Sequence, residues 1–145
     1  MARPHTRPLA LPLALIVDHN DDTRNMYAEF LRYHEKCVTE EAADGRDALA
    51  KAITLRPAVI VMETRLPGMD GFELCATLRR EPLTRTIPII VVTADGSRAH
   101  HERARESGAN VVLIKPCTPD ELLTEVLRVT DQWRERSGED VGAAT

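Results

Sequence analysis

Four apolar runs in this 145-residue chain each stop at a residue that can do chemistry. "LALIV" (13–17) runs into Asp18 and His19, "AVIVM" (58–62) into Glu63, "IPIIVV" (87–92) into Thr93, and "VVLI" (111–114) into Lys115. Asp18, His19 and Glu63 form a candidate metal-ligating set. It would suit Zn²⁺ or Mn²⁺ better than Mg²⁺, which takes hard oxygen ligands and seldom imidazole. Two acids and one histidine do not specify a metal by themselves, and a solvated loop histidine is the plainer reading of His19. Thr93 adds a hydroxyl and Lys115 an ammonium, if the fold brings the four run ends together.

The elements between those runs decide that. "DDTRNMYAEFLRYHEK" has Met26, Tyr27, Phe30 and Leu31 at helical spacing, with Asp21 and Asp22 as its caps. "CVTEEA" reads as a weaker strand closed by an Asp44-Gly45 turn, and "RDALAKAITL" as a short helix with Ala48, Leu49, Ala52 and Ile53 on one side. Asp70 and Glu73 form a capping-box pattern before a helix that buries Leu74 and Leu78. The helix over 97–107 has alanines as its only apolar residues and ends at Gly108, so it is expected to be held loosely, with His100 and His101 exposed. Thr118, Pro119 and Glu121 start the last helix, whose buried face is Leu122, Val126, Val129 and Trp133. Residues 1–10 read as a flexible arm, 11–133 as one domain and 134–145 as a flexible tail.

Strands that are apolar on both faces and alternate with helices imply a doubly wound five-stranded parallel sheet of flavodoxin-like (βα)5 type, covered on both sides. Sites in such sheets lie at the carboxyl ends of the strands. All four run ends therefore meet on one edge. The chain holds no nucleophile-elbow serine, P-loop or dinucleotide glycine fingerprint.

Composition narrows the function classes. A net charge of −4 and 3% aromatic residues argue against a nucleic-acid binder. Cys37, Cys75 and Cys117 are odd in number and follow no metal spacing, so reduced thiols in the cytoplasm are the simplest reading, with Cys117 partly exposed. "MARPHTRPLALPLALIV" looks like a signal peptide, but Pro12 interrupts it and "DHNDD" follows without a small-residue cleavage site. No other run is long enough to span a membrane.

The stretches "LIVDHNDD", "IVMETRLPGMDGFEL", "IIVVTAD" and "VLIKP", in this order and spacing, resemble the response-regulator receiver domain of two-component signalling over roughly residues 12–130. The resemblance implies that the acid ending the third strand accepts a phosphoryl group from a histidine kinase, and that paired acids after the first strand hold Mg²⁺. It places Glu63 at the acceptor position, Asp18 and His19 at the acid pair, and the Arg65 carbonyl as a backbone metal ligand. Thr93 and Lys115 fall where phosphoryl oxygens bind, Ala94 beside them. Val112 falls at a switch position often held by an aromatic ring. The Lys115-Pro116 step is often cis in the family.

Two of these positions depart from the family pattern. Glu63 replaces aspartate and is longer by one methylene, about 1.5 Å. A misplacement of that order costs on the order of a hundredfold in rate. His19 replaces an acid and removes a negative charge, so Mg²⁺ is held weakly and none is required. The expectation is a stand-alone, non-enzymatic pseudo-receiver that is phosphorylation-independent or constitutively biased, with a kinase or downstream protein docking on 97–107, 111–114 and 118–133. A homodimer fits the same surface. One alternative is an adaptor with a vestigial site. A flavodoxin-like cofactor binder is another, although "DHNDDTRN" would repel a phosphate.

Overall fold

The computed structural model describes residues 11–143, with side chains through Asp131. The arm expected over 1–10 and the side chain of Trp133 lie outside the described residues. Strands and helices alternate as β1 (Leu13–Val17), α1 (Asp21–Tyr33), β2 (Val38–Ala42), α2 (Gly45–Leu55), β3 (Val59–Met62), α3 (Gly71–Arg80), β4 (Ile89–Thr93), α4 (Arg98–Ser107), β5 (Val111–Ile114) and α5 (Pro119–Ala143). All pairings are parallel and the strand order is β2-β1-β3-β4-β5. The winding direction reverses between β1 and β3, which puts the crevice for a site at their carboxyl ends.

Both faces of the sheet are buried, so period-two alternation sorts apolar side chains into two layers instead of one apolar and one wet face. Leu15, Val17, Ile60, Met62, Ile89 and Val91 face α2, α3 and α4, where Ala48, Ala52, Leu74, Leu78 and Ala104 meet them. Ala14, Ile16, Val59, Val61, Ile90 and Val92 face α1 and α5, against Tyr27, Leu31, Leu122, Val126 and Val129. Each large side chain fully buried in these layers is worth about 1.5–3 kcal/mol, enough to make the sheet the rigid base of whatever its edge carries.

Capping residues set where most helices leave that edge. Asp44, Asp70 and Ser97 accept the backbone N–H three residues on, at 2.8, 2.9 and 3.2 Å, and Thr118 does the same for Glu121 at 3.2 Å. The cap of α1 is Asn20, which accepts from the Thr23 N–H at 2.9 Å, and not the Asp21-Asp22 pair expected from sequence. An asparagine carbonyl caps as well as a carboxylate, and the two acids fall in the first turn beside the positive end of the helix dipole. The buried stripe of α1 is Tyr27, Ala28 and Leu31, with Met26 exposed and Phe30 half-buried. The small Ala28 takes the inner position and turns the two wider side chains outward.

α4 buries a single side chain, Ala104, as its thin apolar face implies. It is not simply loose, however, because polar anchors grip both ends. At its C-terminus the Arg79 guanidinium donates to the Gly108 carbonyl at 2.7 Å and to Asn110 Oδ1 at 2.9 Å. Gly108 has φ of 124° and a Cβ there would lie 2.6 Å from Arg79 Cγ, so the anchor requires glycine. The N-terminal anchor is His100, described below. α5 continues as helix to Ala143, through most of the stretch read as a tail from residue 134. Cys117, expected to be partly exposed, is buried beneath α1, where its carbonyl accepts from the Tyr27 hydroxyl at 3.2 Å.

Candidate functional site

The residues just past the strand ends still belong to the sheet's hydrogen-bond ladder. The Asp18 N–H donates to Ala42 O at 3.1 Å, Glu63 N–H to Val17 O at 3.1 Å, and Lys115 N–H to Thr93 O at 2.7 Å. Their side chains therefore leave a fixed backbone at neighbouring points of one edge. The peptide bond Lys115-Pro116 is cis. Gly71 presses the first turn of α3 onto the Glu63–Thr64 backbone: its N–H donates to Thr64 O at 2.9 Å, and a Cβ there would lie 2.6 Å from Thr64 Cα.

Asp18 and Glu63 are buried, a costly state for two carboxylates unless cations and donors meet them. Lys115 Nζ stands 3.5 Å from Asp18 Oδ2 and 3.5 Å from Glu63 Oε2. The other Glu63 oxygen is held by His19, whose Nδ1 bonds Oε1 and whose backbone N–H donates to the same atom at 3.2 Å. His19 Nδ1 also lies 3.9 Å from Asp18 Oδ1, which accepts the Asn20 N–H at 2.8 Å. Burial pushes the Asp18 carboxyl above its ordinary range and the Glu63 charge adds to this, while the Asn20 N–H, Lys115 and His19 pull it down. The bond to Glu63 and then that residue's charge raise the His19 imidazole above its usual value, with Asp18 and the Arg65 backbone adding to the shift. With His19 protonated, two cations face two anions and the cluster is neutral within itself.

A second polar group lies on the α4 side of the edge. His100 Nε2 is 3.1 Å from Thr93 Oγ1 and 3.2 Å from Thr64 Oγ1, and its Nδ1 is 3.3 Å from Asp95 Oδ2. The Thr93 oxygen also accepts the Asp95 N–H at 3.1 Å. The imidazole edge-stacks on Phe72 at 5.0 Å, and the Arg103 guanidinium lies 4.0 Å from the centre of the Phe72 ring.

The sequence profile described as the response regulator receiver domain matches residues 14–127. The chain belongs to the response-regulator receiver family. It is 38% identical over 109 residues to the response regulator PleD of Caulobacter vibrioides, covering 70% of this chain and 24% of that protein. It is 34% identical over 128 residues to the DNA-binding dual master transcriptional regulator RpaA of Synechocystis, covering 84% of this chain and 52% of that one. The chain thus spans about a quarter and about half of these two relatives. Among solved structures, the chemotaxis protein CheY4 of Vibrio cholerae superposes with a TM-score of 0.77 at 34% identity, covering 83% of this chain and 99% of that one. A response regulator from Chloroflexus aurantiacus gives a TM-score of 0.78 at 35% identity, covering 83% and 98%. The fold is the CheY-like receiver fold, and the family is that of two-component response regulators. Among the described residues, no helix is long and apolar enough to cross a membrane.

The receiver edge gathers Asp18, His19, Glu63 and Lys115 into one cluster, as the strand ends implied. The ligand atoms of Asp18, His19 and Glu63 lie within 4.8 Å of one another. Thr93 stands on the same edge but is engaged with α4. Ala94 and Arg65 are exposed beside the site, and Val112 is half-buried against the layer facing α2, α3 and α4. His19 lies in a loop and is exposed, as its plainer reading had it, and its ring also meets Glu63. His100, expected to be exposed, is a correction, with 15% of its side chain accessible. Its one legible signal was position: a histidine three residues after the Ser97 cap lies in the helix turn nearest the strand ends. His101 beside it is half-buried. Nothing in the sequence marked Thr64 or Asp95 as its partners.

Proposed function

We propose that this receiver domain works as a phosphorylation-independent protein-docking module whose site is neutralised from within. The observation that carries the reading is the double clamp on Glu63: His19 occupies one carboxylate oxygen and Lys115 faces the other. A carboxylate held this way is a poor nucleophile, and a glutamate projects its oxygens about 1.5 Å beyond an aspartate's. Receiver domains hold Mg²⁺ at the acidic position, and the donor set here does not fit that ion. One of its three side-chain groups is an imidazole, and both carboxylates already share a lysine. The ion that would neutralise transferring phosphoryl oxygens is replaced by fixed protein cations.

In this reading the domain is not an enzyme. It acts in the cytoplasm through a histidine kinase or a downstream signalling protein docked on α4, β5 and α5, without nucleic acid or membrane contact. β5 ends the sheet and exposes Ile114, which gives that face an apolar centre and also suits a second copy of the chain. The site reading is tested by titrating Mg²⁺ into the native protein and into His19→Asp, following backbone amide shifts of 18–20 and 63–65. The native protein is expected to show no saturable shift at millimolar Mg²⁺, and His19→Asp is expected to show one. Saturable binding by the native protein would contradict internal neutralisation.

A further inference from the structure

The outward face of α1 carries an apolar stripe that the core does not use. Met26, Phe30 and Tyr33 follow one another at helical spacing on the side opposite Tyr27, Ala28 and Leu31. Met26 is 43% exposed and Tyr33 82%. The rings of Phe30 and Tyr33 are joined through His34, with centroids 4.4 and 5.3 Å from the imidazole. A shallow hollow runs along the stripe and is rimmed by Asp22, Asn25 and Glu29. Asp21 is taken by Arg24 at 2.7 Å, but among the described residues no cation pairs with Asp22 or Glu29. A helix on a sheet ordinarily turns a polar face outward, so exposed rings between two unpaired acids call for a cover that is basic and apolar. We propose that the cover is this chain's own segment "RPHTRP" (3–8), seated along α1 with its prolines on the rings and its arginines on the two acids.

Charge, side-chain chemistry and reach all select that segment. Residues 1–10 hold Arg3, His5 and Arg7 with no acid, and each arginine precedes a proline, Pro4 or Pro8. Proline-rich segments dock on aromatic-lined grooves as polyproline II helices, and their preset conformation keeps the entropy lost on docking small. In that form Arg3 and Arg7 stand about 12 Å apart, at about 3.1 Å per residue. Asp22 and Glu29 share the outward face of α1 and stand about 10 Å apart along its axis. The described chain begins beside the last turn of α1, because the Pro12 carbonyl accepts the Val38 N–H at 3.0 Å at the start of β2. Running back from there, the segment meets Tyr33 and Phe30 first, then Glu29 with Arg7, and then Asp22 with Arg3. Residues 1–10 extend about 31 Å against about 16 Å of helix from Tyr33 to Asp22, so the segment reaches. A second copy of the chain fits this face less well, since α1 against α1 would set Asp22 and Glu29 against the same acids. The seat closes α1 to other proteins and leaves docking to the side of α4, β5 and α5. It does not depend on how Glu63 and His19 behave.

The test uses the full ¹⁵N-labelled chain with a nitroxide on Thr6→Cys; Cys37, Cys75 and Cys117 are buried and stay unlabelled. Amides of 22–26, at the far end of α1 from the tether, are expected to be broadened. Arg3→Glu/Arg7→Glu and Asp22→Lys/Glu29→Lys should each lower the seated-to-free ratio at least about tenfold, since one exposed ion pair is worth up to about fivefold. Combining the two reversals should restore the broadening, and Tyr33→Ala should weaken it with both charge sets intact. Asp22, Glu29 and Tyr33 are exposed, so these variants keep the core. Absent broadening at 22–26, broadening that survives either reversal or Tyr33→Ala, or no restoration on combining them would overturn the proposal. Mixing spin-labelled ¹⁴N chain with unlabelled ¹⁵N chain completes the test. Broadening across copies would assign the segment to a neighbouring molecule, and α1 shifts that follow protein concentration would assign the face to a second copy. Either result would overturn the intrachain seat.

Discussion

Replacing Lys115 with methionine should expose the cost of burying two carboxylates side by side. Lys115 Nζ lies 3.5 Å from each, and at an effective dielectric constant of about 20 each contact is worth about 5 kcal/mol of Coulomb energy. Much of that is offset in the native protein by desolvation of the ammonium. Removing one partner of a buried pair costs about 3–5 kcal/mol, and the low end applies here because the lysine side chain is 26% exposed and His19 remains. Lys115→Met should therefore lose about 3 kcal/mol at pH 7, or roughly 10 °C in Tm for a chain of this size. The loss must depend on pH in one direction. Without Lys115, the Asp18 carboxyl, already raised by burial, rises further above its unfolded value. Its ionised form then destabilises the fold, and the penalty fades as pH falls toward the unfolded value of about 4. Asp18→Asn in the Lys115→Met background should restore about 1–2 kcal/mol, because it deletes a buried charge that has lost its nearest cation. Urea unfolding across pH reads both numbers. A Lys115→Met variant within about 0.5 kcal/mol of native at pH 7, or an Asp18→Asn that destabilises it further, would refute this account of the cluster.

Other consequences can be checked in the same way. His19 is raised by its bond to Glu63, so its contribution is fully present below the unfolded value of about 6.5 and is lost as pH rises through the folded value. Half of the side chain is in water, so the gain over His19→Asn should stay within about 1 kcal/mol and fade as pH rises through the folded value; a gain that grows with pH would contradict it. Burial pushes the Tyr27 hydroxyl up to about 12. From about pH 10 upward the unfolded chain ionises this tyrosine first, so native stability should fall there relative to Tyr27→Phe, which itself costs about 1 kcal/mol at neutral pH. Equal alkaline limbs in the two proteins would count against the buried bond to Cys117. Gly71→Ala places a Cβ against backbone that cannot yield and should cost about 2–3 kcal/mol with a displaced 63–64 segment, visible in amide shifts. A stable Gly71→Ala with unmoved shifts would show that α3 does not press on the site.

The fold was legible because its signals are local and mutually consistent. Doubly buried strands read as continuous apolar runs, and Asp70 and Thr118 cap where their side chains are suited to cap. Asp18, Glu63, Thr93 and Lys115 followed from the rule that strand ends meet. Contacts set by the exact rotation of a helix were not legible. Whether Asn20 or Asp21 caps α1 depends on a single residue of turn, and the burial of Ala28 in place of Met26 depends on how closely the helix approaches the sheet. His100 was missed for the same reason. A polar helix with adjacent histidines looks solvated on every face until its first turn is seen lying over Thr64 and Thr93.

Intact-mass spectrometry after incubation with acetyl phosphate and Mg²⁺ tests the central claim most directly. The native protein, Glu63→Asp, and Glu63→Asp/His19→Asp would be compared, with Glu63→Gln as the control. The account predicts one added phosphoryl group on the double variant and none on the native protein, because Glu63 and His19 together silence an otherwise intact scaffold. A phosphoryl group on the native protein that disappears in Glu63→Gln would contradict it.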